Sequence, residues 1–221
     1  MFVELVHTIV DTQIERRGWH SIWENFPTAT PNVLISEFYS NFLNIDMKNL
    51  EFDVFLRKTM SHICPDVVAN ALQIPRVPDP KYPFTLSFAP PCDKMMKLFC
   101  GEAIEWGDRK ITSTHNFTCE AYVFNLIMCH NLLTVSHRNT IPLPQAQFLY
   151  AYKTGISIDL PSMICNSLLS MHHSEHTSNR LIHPCVITHL LTHLNMTFPA
   201  SIFVAFVLLY VHSFSTMVWL L

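Results

Sequence analysis

The sequence predicts a mainly α fold, α+β only through one small β-hairpin near residues 51–63, in which a helical domain is followed by an apolar C-terminal helix. Three observations predict this. Apolar residues recur at three- and four-residue spacing along most of the chain, as on helices with one buried face. A single segment alternates apolar and polar residues as a strand does. The last 24 of the 221 residues, 198–221, carry no charge.

Taken in order, residues 2–17 read as an amphipathic helix, with Val3, Val6, Val10 and Ile14 on one side and Gly18 as its stop. Trp19, Trp23 and Phe26 then form an aromatic knot. Thr30 as N-cap and Pro31 in the first turn open the next helix. Its apolar stripe is Leu34, Phe38 and Phe42, widened by Val33, Ile35 and Tyr39. Phe52, Val54 and Leu56 then alternate with Asp53 and Phe55, Arg57-Lys58 make a turn, and residues 59–63 return as a second strand. Pro65 and Asp66 begin a short helix, the acid favourable in its first turn.

Residues 75–91 contain six prolines, which forbid a helix and disfavour a central strand, so an extended surface loop is expected. Helices resume at 93–100, closed by Gly101, at 117–133, at 144–154, closed by Gly155, and at 161–171. Residues 172–180 are a polar loop. Pro184 starts a helix holding Val186, Ile187, Leu190, Leu191 and Leu194. The division that follows is an N-terminal helix at 1–14, a domain at 15–196 and the apolar segment 198–221.

Charge narrows the function classes. Asp, Glu, Lys and Arg make up 14 % of the chain, against about 25 % in ordinary soluble domains, and none occurs after Arg180. The net charge of −3 offers nucleic acid no long-range attraction. Arg16-Arg17, Arg57-Lys58, Arg109-Lys110 and His137-Arg138 are short basic islands with acids nearby, and ordinary solvated charge explains them. Seven scattered cysteines, an odd number without CxxC, fit reduced thiols in a nuclear or cytoplasmic protein. Glu4 interrupts the apolar start, so no cleaved signal is expected, and the sequons at Asn116 and Asn195 are idle outside the secretory route.

Three kinds of chemistry come into question. Cys185, His189 and His193 share one helix face at i, i+4 and i+8 and are weak zinc candidates, because three such positions span about 12 Å of helix axis. A two-metal nuclease needs converging carboxylates, yet Asp53 is the only acid inside a strand, while Asp66, Glu102, Glu105, Asp108, Glu120 and Asp159 form no pattern. Four widely spaced glycines exclude a phosphate-cradling loop. No catalytic residue and no cofactor is expected. As a helix, residues 198–221 would span about 36 Å, enough for a bilayer core of about 30 Å, although no Lys or Arg lies near to orient it.

The order of several short motifs points further. Glu15-Arg16-Arg17-Gly18-Trp19 precedes Glu37-Phe38-Tyr39-Ser40-Asn41. Ala71-Leu72-Gln73-Ile74-Pro75, Leu98-Phe99-Cys100-Gly101 and Glu105-Trp106 follow, then Asn131-Leu132-Leu133-Thr134-Val135-Ser136-His137-Arg138 and Gly155-Ile156-Ser157-Ile158-Asp159. This series resembles the plant transposon protein domain family over about residues 15–196. The resemblance implies a plant retroelement origin, a mainly helical domain and no catalytic residues. It makes Gly18, Trp19, Phe38, Tyr39, Ser136, His137 and Arg138 structural positions, Ser136 or His137 clamping a loop between helices. Val135 stands where the pattern has proline, and the tail falls outside it, as a reading-frame extension would.

The function expected is a non-catalytic interaction module, capsid-like or accessory, with a protein partner or its own copies. The alternatives are a tail-anchored membrane protein using 198–221 and a metal-dependent nucleic-acid enzyme.

Overall fold

The computed structural model of this chain describes residues 12–24, 29–30, 32–106, 111–131, 139–173, 183–196 and 204–205. Its elements in chain order are α1 (12–17), α2 (His20–Glu24), β1 (Ala29–Thr30), α3 (Asn32–Ser40), β2 (Phe42–Asp46), β3 (Glu51–Leu56), β4 (Thr59–Ile63), α4 (Pro65–Leu72), α5 (Cys92–Cys100) and β5 (Ile111–Ser113). They continue as α6 (Cys119–Asn131), β6 (Thr140–Pro142), α7 (Leu143–Lys153), α8 (Leu160–His173), α9 (Pro184–His193) and β7 (Val204–Ala205). Two compact units share them. The first holds α1 and residues 77–159; the second holds residues 18–76 and the chain from Leu160 through β7.

In the second unit, β2, β3 and β4 form an antiparallel meander. The hairpin from β3 to β4 is the predicted one. Arg57 and Lys58 both take positive φ (49° and 69°), the two-residue turn whose twist matches its strands. Phe52, Val54, Leu56, Ser61 and Ile63 alternate into the buried face, which packs against Leu34, Ile35 and Phe38 of α3. Phe38 meets Phe42 and Phe52 edge to face, and Phe42 stacks on Phe52 with centroids 4.3 Å apart. Helix α4 packs on α8 and α9, and α3 on α9. Pro65 opens α4 as predicted, and Gln73 closes it in the left-handed region.

In the first unit, α5 packs on α6 and α7, burying Met95, Met96, Phe99, Ala121, Phe124, Phe148 and Leu149. Asn125 and Gln145, both buried, join α6 to α7 through an amide hydrogen bond of 2.9 Å. Lys153 reaches Glu120 at 2.9 Å from a largely buried position. Strands β5 and β6 pair as a short antiparallel ribbon.

Two expectations are corrected. Among the described residues strand accounts for about 16 % and helix for about 51 %, so the fold is mixed α+β rather than mainly α with one hairpin. The extra strands form by pairing with partners distant in sequence. Phe42 leaves the α3 stripe to pair with Val54, and Ile111 pairs with Pro142. The expected C-terminal helix is not seen where residues 198–221 are described: Val204–Ala205 are a strand paired with Ala29–Thr30. A short continuous apolar run with a β-branched residue satisfies strand and helix alike, and pairing decides. The rest of the tail, residues 2–11 and residues 132–133 of the predicted helices lie outside the described residues. Among the described residues no helix is long and apolar enough to cross a membrane.

Candidate functional site

The proline-rich segment carries the most exposed apolar side chains of the first unit. Tyr82 anchors it. The Tyr82 N–H donates to the Ser157 carbonyl (3.1 Å), its hydroxyl donates to the Pro144 carbonyl (3.2 Å), and it bridges Ile158 in parallel. Burial pushes the Tyr82 phenol up to about 12. Its ring packs edge-on to Phe84 and Phe148, and Phe84 in turn touches Tyr150. Beyond Phe84 the chain turns back, the Phe88 N–H donating to the Thr85 carbonyl (3.0 Å). Leu86 and Phe88 stand on this turn 101 % and 81 % exposed. Residues 84–91 contain no charge, and Pro90 and Pro91 lead directly into α5. The loop is held at both ends and offers two large apolar groups to solvent.

A second apolar surface lies on the outer face of the three-stranded sheet. Phe55 and Met60 are cross-strand partners there, both exposed, as is Leu43. Beside them His62 Nδ1 lies 2.9 Å from Asp53 Oδ1, and Glu51 is 3.9 Å from the other ring nitrogen. Asn44 donates to Asp53 at 2.7 Å. The hydrogen bonds from Asn44 and His62 hold Asp53 below the usual carboxylate range.

The zinc candidates stay on α9 as the spacing implied. Cys185 and His189 are half-buried and His193 is exposed. Burial pushes the Cys185 thiol up to about 11, the wrong direction for a ligand that binds as thiolate. Among the described residues no group of three His, Cys, Asp or Glu side chains could hold a metal ion. His183, the residue before α9, is buried in the left-handed region at φ 50° and sits 2.9 Å from the Ser167 hydroxyl. Burial pulls its imidazole down to about 4.

Four of the other singled-out positions are described. Gly18 takes φ 65°, and a Cβ there would come within 3.3 Å of Pro75. Trp19 and Phe38 are buried. Tyr39 stacks on Phe42, and burial drives its phenol well above the ordinary range. Ser136, His137 and Arg138 lie outside the described residues. Arg17, read as part of a basic island, instead donates to the carbonyls of Ala151, Tyr152 and Ile156 at 3.0–3.1 Å and lies over the Tyr152 ring. It thereby satisfies carbonyls at the end of α7 and complements that helix's dipole.

Three more of the acids named above have partners, and Asp108 lies outside the described residues. Asp66 pairs with Arg76, Glu120 with Lys153, and Asp159 accepts the Val77 N–H at 3.1 Å. Cys100 and Cys119 join Cys185 in having thiols raised by burial. The site that sequence reasoning missed is the loop tip. Its signal was the uncharged run Phe84-Thr85-Leu86-Ser87-Phe88 between Lys81 and Asp93.

A family model described as Putative plant retrotransposon-related domain matches residues 15–197. No curated protein and no solved structure matches the chain.

Proposed function

Because the chain belongs to the family of plant retrotransposon-related domains and is derived from a transposable element, we propose that it works as a non-catalytic interaction module, associating through its own copies in a capsid-like or accessory role. The observation that carries this reading is the anchored turn holding Leu86 and Phe88 in solvent. Large apolar groups on a constrained loop are the pattern of an interface anchor, since little ordering entropy remains to be lost on contact. The exposed Phe55–Met60 pair adds a second apolar surface. The thiols of Cys100, Cys119 and Cys185, raised by burial, support the non-catalytic half of the reading, because a cysteine nucleophile needs the opposite tuning.

The test is a dilution series of the full chain by light scattering, beside the double variant Leu86→Ser/Phe88→Ser. Concentration-dependent association of the wild type and its loss in the variant are expected. Equal behaviour of the two proteins at every concentration would remove the loop from the proposal. Nuclease activity abolished by replacing a single acid such as Asp53 would overturn the reading altogether.

A further inference from the structure

The ribbon of β5 and β6 and the first turns of α6 border a cleft of about 600 Å³ in the first unit, a size typical of small-molecule sites. Its walls are fastened to three different elements. The Thr114 N–H donates to the Asn139 carbonyl (3.0 Å), the Phe117 N–H to the Thr114 carbonyl (3.1 Å), and the Thr118 N–H to the Phe99 carbonyl (2.7 Å). The His115 N–H donates to the Ser113 hydroxyl (3.2 Å), and the Phe117 ring packs on buried Phe99 at 5.3 Å. A cleft built on such bonds exists before any ligand arrives, so binding costs little reorganisation.

The lining decides what fits. It offers two aromatic rings, Phe117 and Tyr122, and the exposed hydrogen-bonding side chains of Ser113, His115 and Asn139. No Asp, Glu, Lys or Arg is among the described lining residues. A flat ring gains from the aromatic surfaces, and its polar edge finds donors and acceptors at the rim. We infer that this cleft binds a small aromatic molecule with hydrogen-bonding edges, of nucleobase or nucleoside type. This goes beyond the interaction reading and does not depend on it, since none of the lining residues belongs to the Leu86–Phe88 turn.

Cys119 lines the cleft and is exposed, so it reports occupancy. The experiment follows alkylation of individual cysteines in the full chain by peptide mass spectrometry, with Cys92, outside the cleft, as the internal reference. The probes are adenosine, guanosine, cytidine and uridine, with a single-stranded hexanucleotide as a strand-borne base. At least one nucleoside should slow Cys119 about tenfold when present at ten times its Kd, leaving Cys92 unchanged. Added protection by the hexanucleotide assigns the base to a strand; its failure assigns a free nucleoside. Asn139→Leu should abolish protection. Asn139 is exposed and its backbone bond to Thr114 survives the change, so the variant keeps its fold. Tyr122→Leu, which removes one ring, should also abolish it. The inference falls if no nucleoside protects Cys119, if Cys92 slows equally, if only the hexanucleotide protects, or if both variants behave as wild type.

Discussion

Phenylalanine is used in two opposite ways in this chain. In the second unit Phe38 and Phe52 are wholly buried, locked edge to face beneath the three-stranded sheet. In the first unit Phe88 stands almost fully in water beside Leu86, on a turn whose neighbours Tyr82 and Phe84 are the anchors. Burying such a side chain stabilises a fold by about 1.5–3 kcal/mol, and leaving it exposed contributes nothing. The difference separates two kinds of position. Trp19 and Phe38 of the motifs are buried in the second unit, whereas the loop that we propose as a contact surface carries none of the motif residues.

The largest effect is expected at the buried member of the comparison. Phe38→Ala removes a ring that touches Tyr39, Phe42 and Phe52 at once. It should destabilise the protein by about 3–5 kcal/mol in urea unfolding, the usual cost of emptying an aromatic core site. A loss below about 1 kcal/mol would mean that the cluster rearranges freely and that the framework role assigned to Phe38 is misplaced.

A second, somewhat smaller effect sharpens the same contrast through pH. His183 is buried and neutral, its imidazole pulled down to about 4 from an ordinary value near 6.5. Between these two values the unfolded chain binds a proton that the folded chain refuses. Stability should therefore fall as pH drops from about 6.5 to 4, by up to about 3 kcal/mol, and be fully present above that window. Other groups titrate in the same range, so the decisive quantity is the difference between wild type and His183→Asn, a residue that also tolerates positive φ. That difference should shrink as the solution is acidified. A pH-independent difference would show that the imidazole is not the proton-excluding group.

Much of the framework is legible in the sequence, for local reasons. Pro65 and Pro184 open helices because proline fixes φ and lacks the N–H that a first turn leaves idle. Gly101 and Gly155 lie in the left-handed region just beyond helix ends. The alternation of Phe52, Val54 and Leu56 announces β3. What escaped depends on distant partners. Phe42 continues the four-residue spacing of Leu34 and Phe38, so only its pairing with Val54 reveals a strand. Ile111–Ser113 and Thr140–Pro142 are too short to show a period, and they exist because they pair with each other. Val33, assigned to the apolar stripe, is 63 % exposed, since the sheet covers a narrower face of α3 than the sequence offers. Among four apolar side chains between Tyr82 and Phe88, nothing local says which two are anchors. Ser157, Pro144 and Tyr150 choose Tyr82 and Phe84, and the turn leaves the others outside.

The smallest expected effect falls on that exposed pair, and its smallness is what makes it informative. Leu86→Ser/Phe88→Ser changes side chains that the fold does not cover, and the hydrogen bond from the Phe88 N–H to the Thr85 carbonyl belongs to the backbone. Thermal or urea unfolding should move by no more than about 0.5 kcal/mol in either direction, the range of ordinary surface substitutions. Circular dichroism should stay unchanged. Any loss of association in this variant would then be a loss of contact and not of structure. A destabilisation of about 2 kcal/mol or more would instead mean that Leu86 and Phe88 are covered in solution, and would move them from the exposed side of the comparison to the buried one.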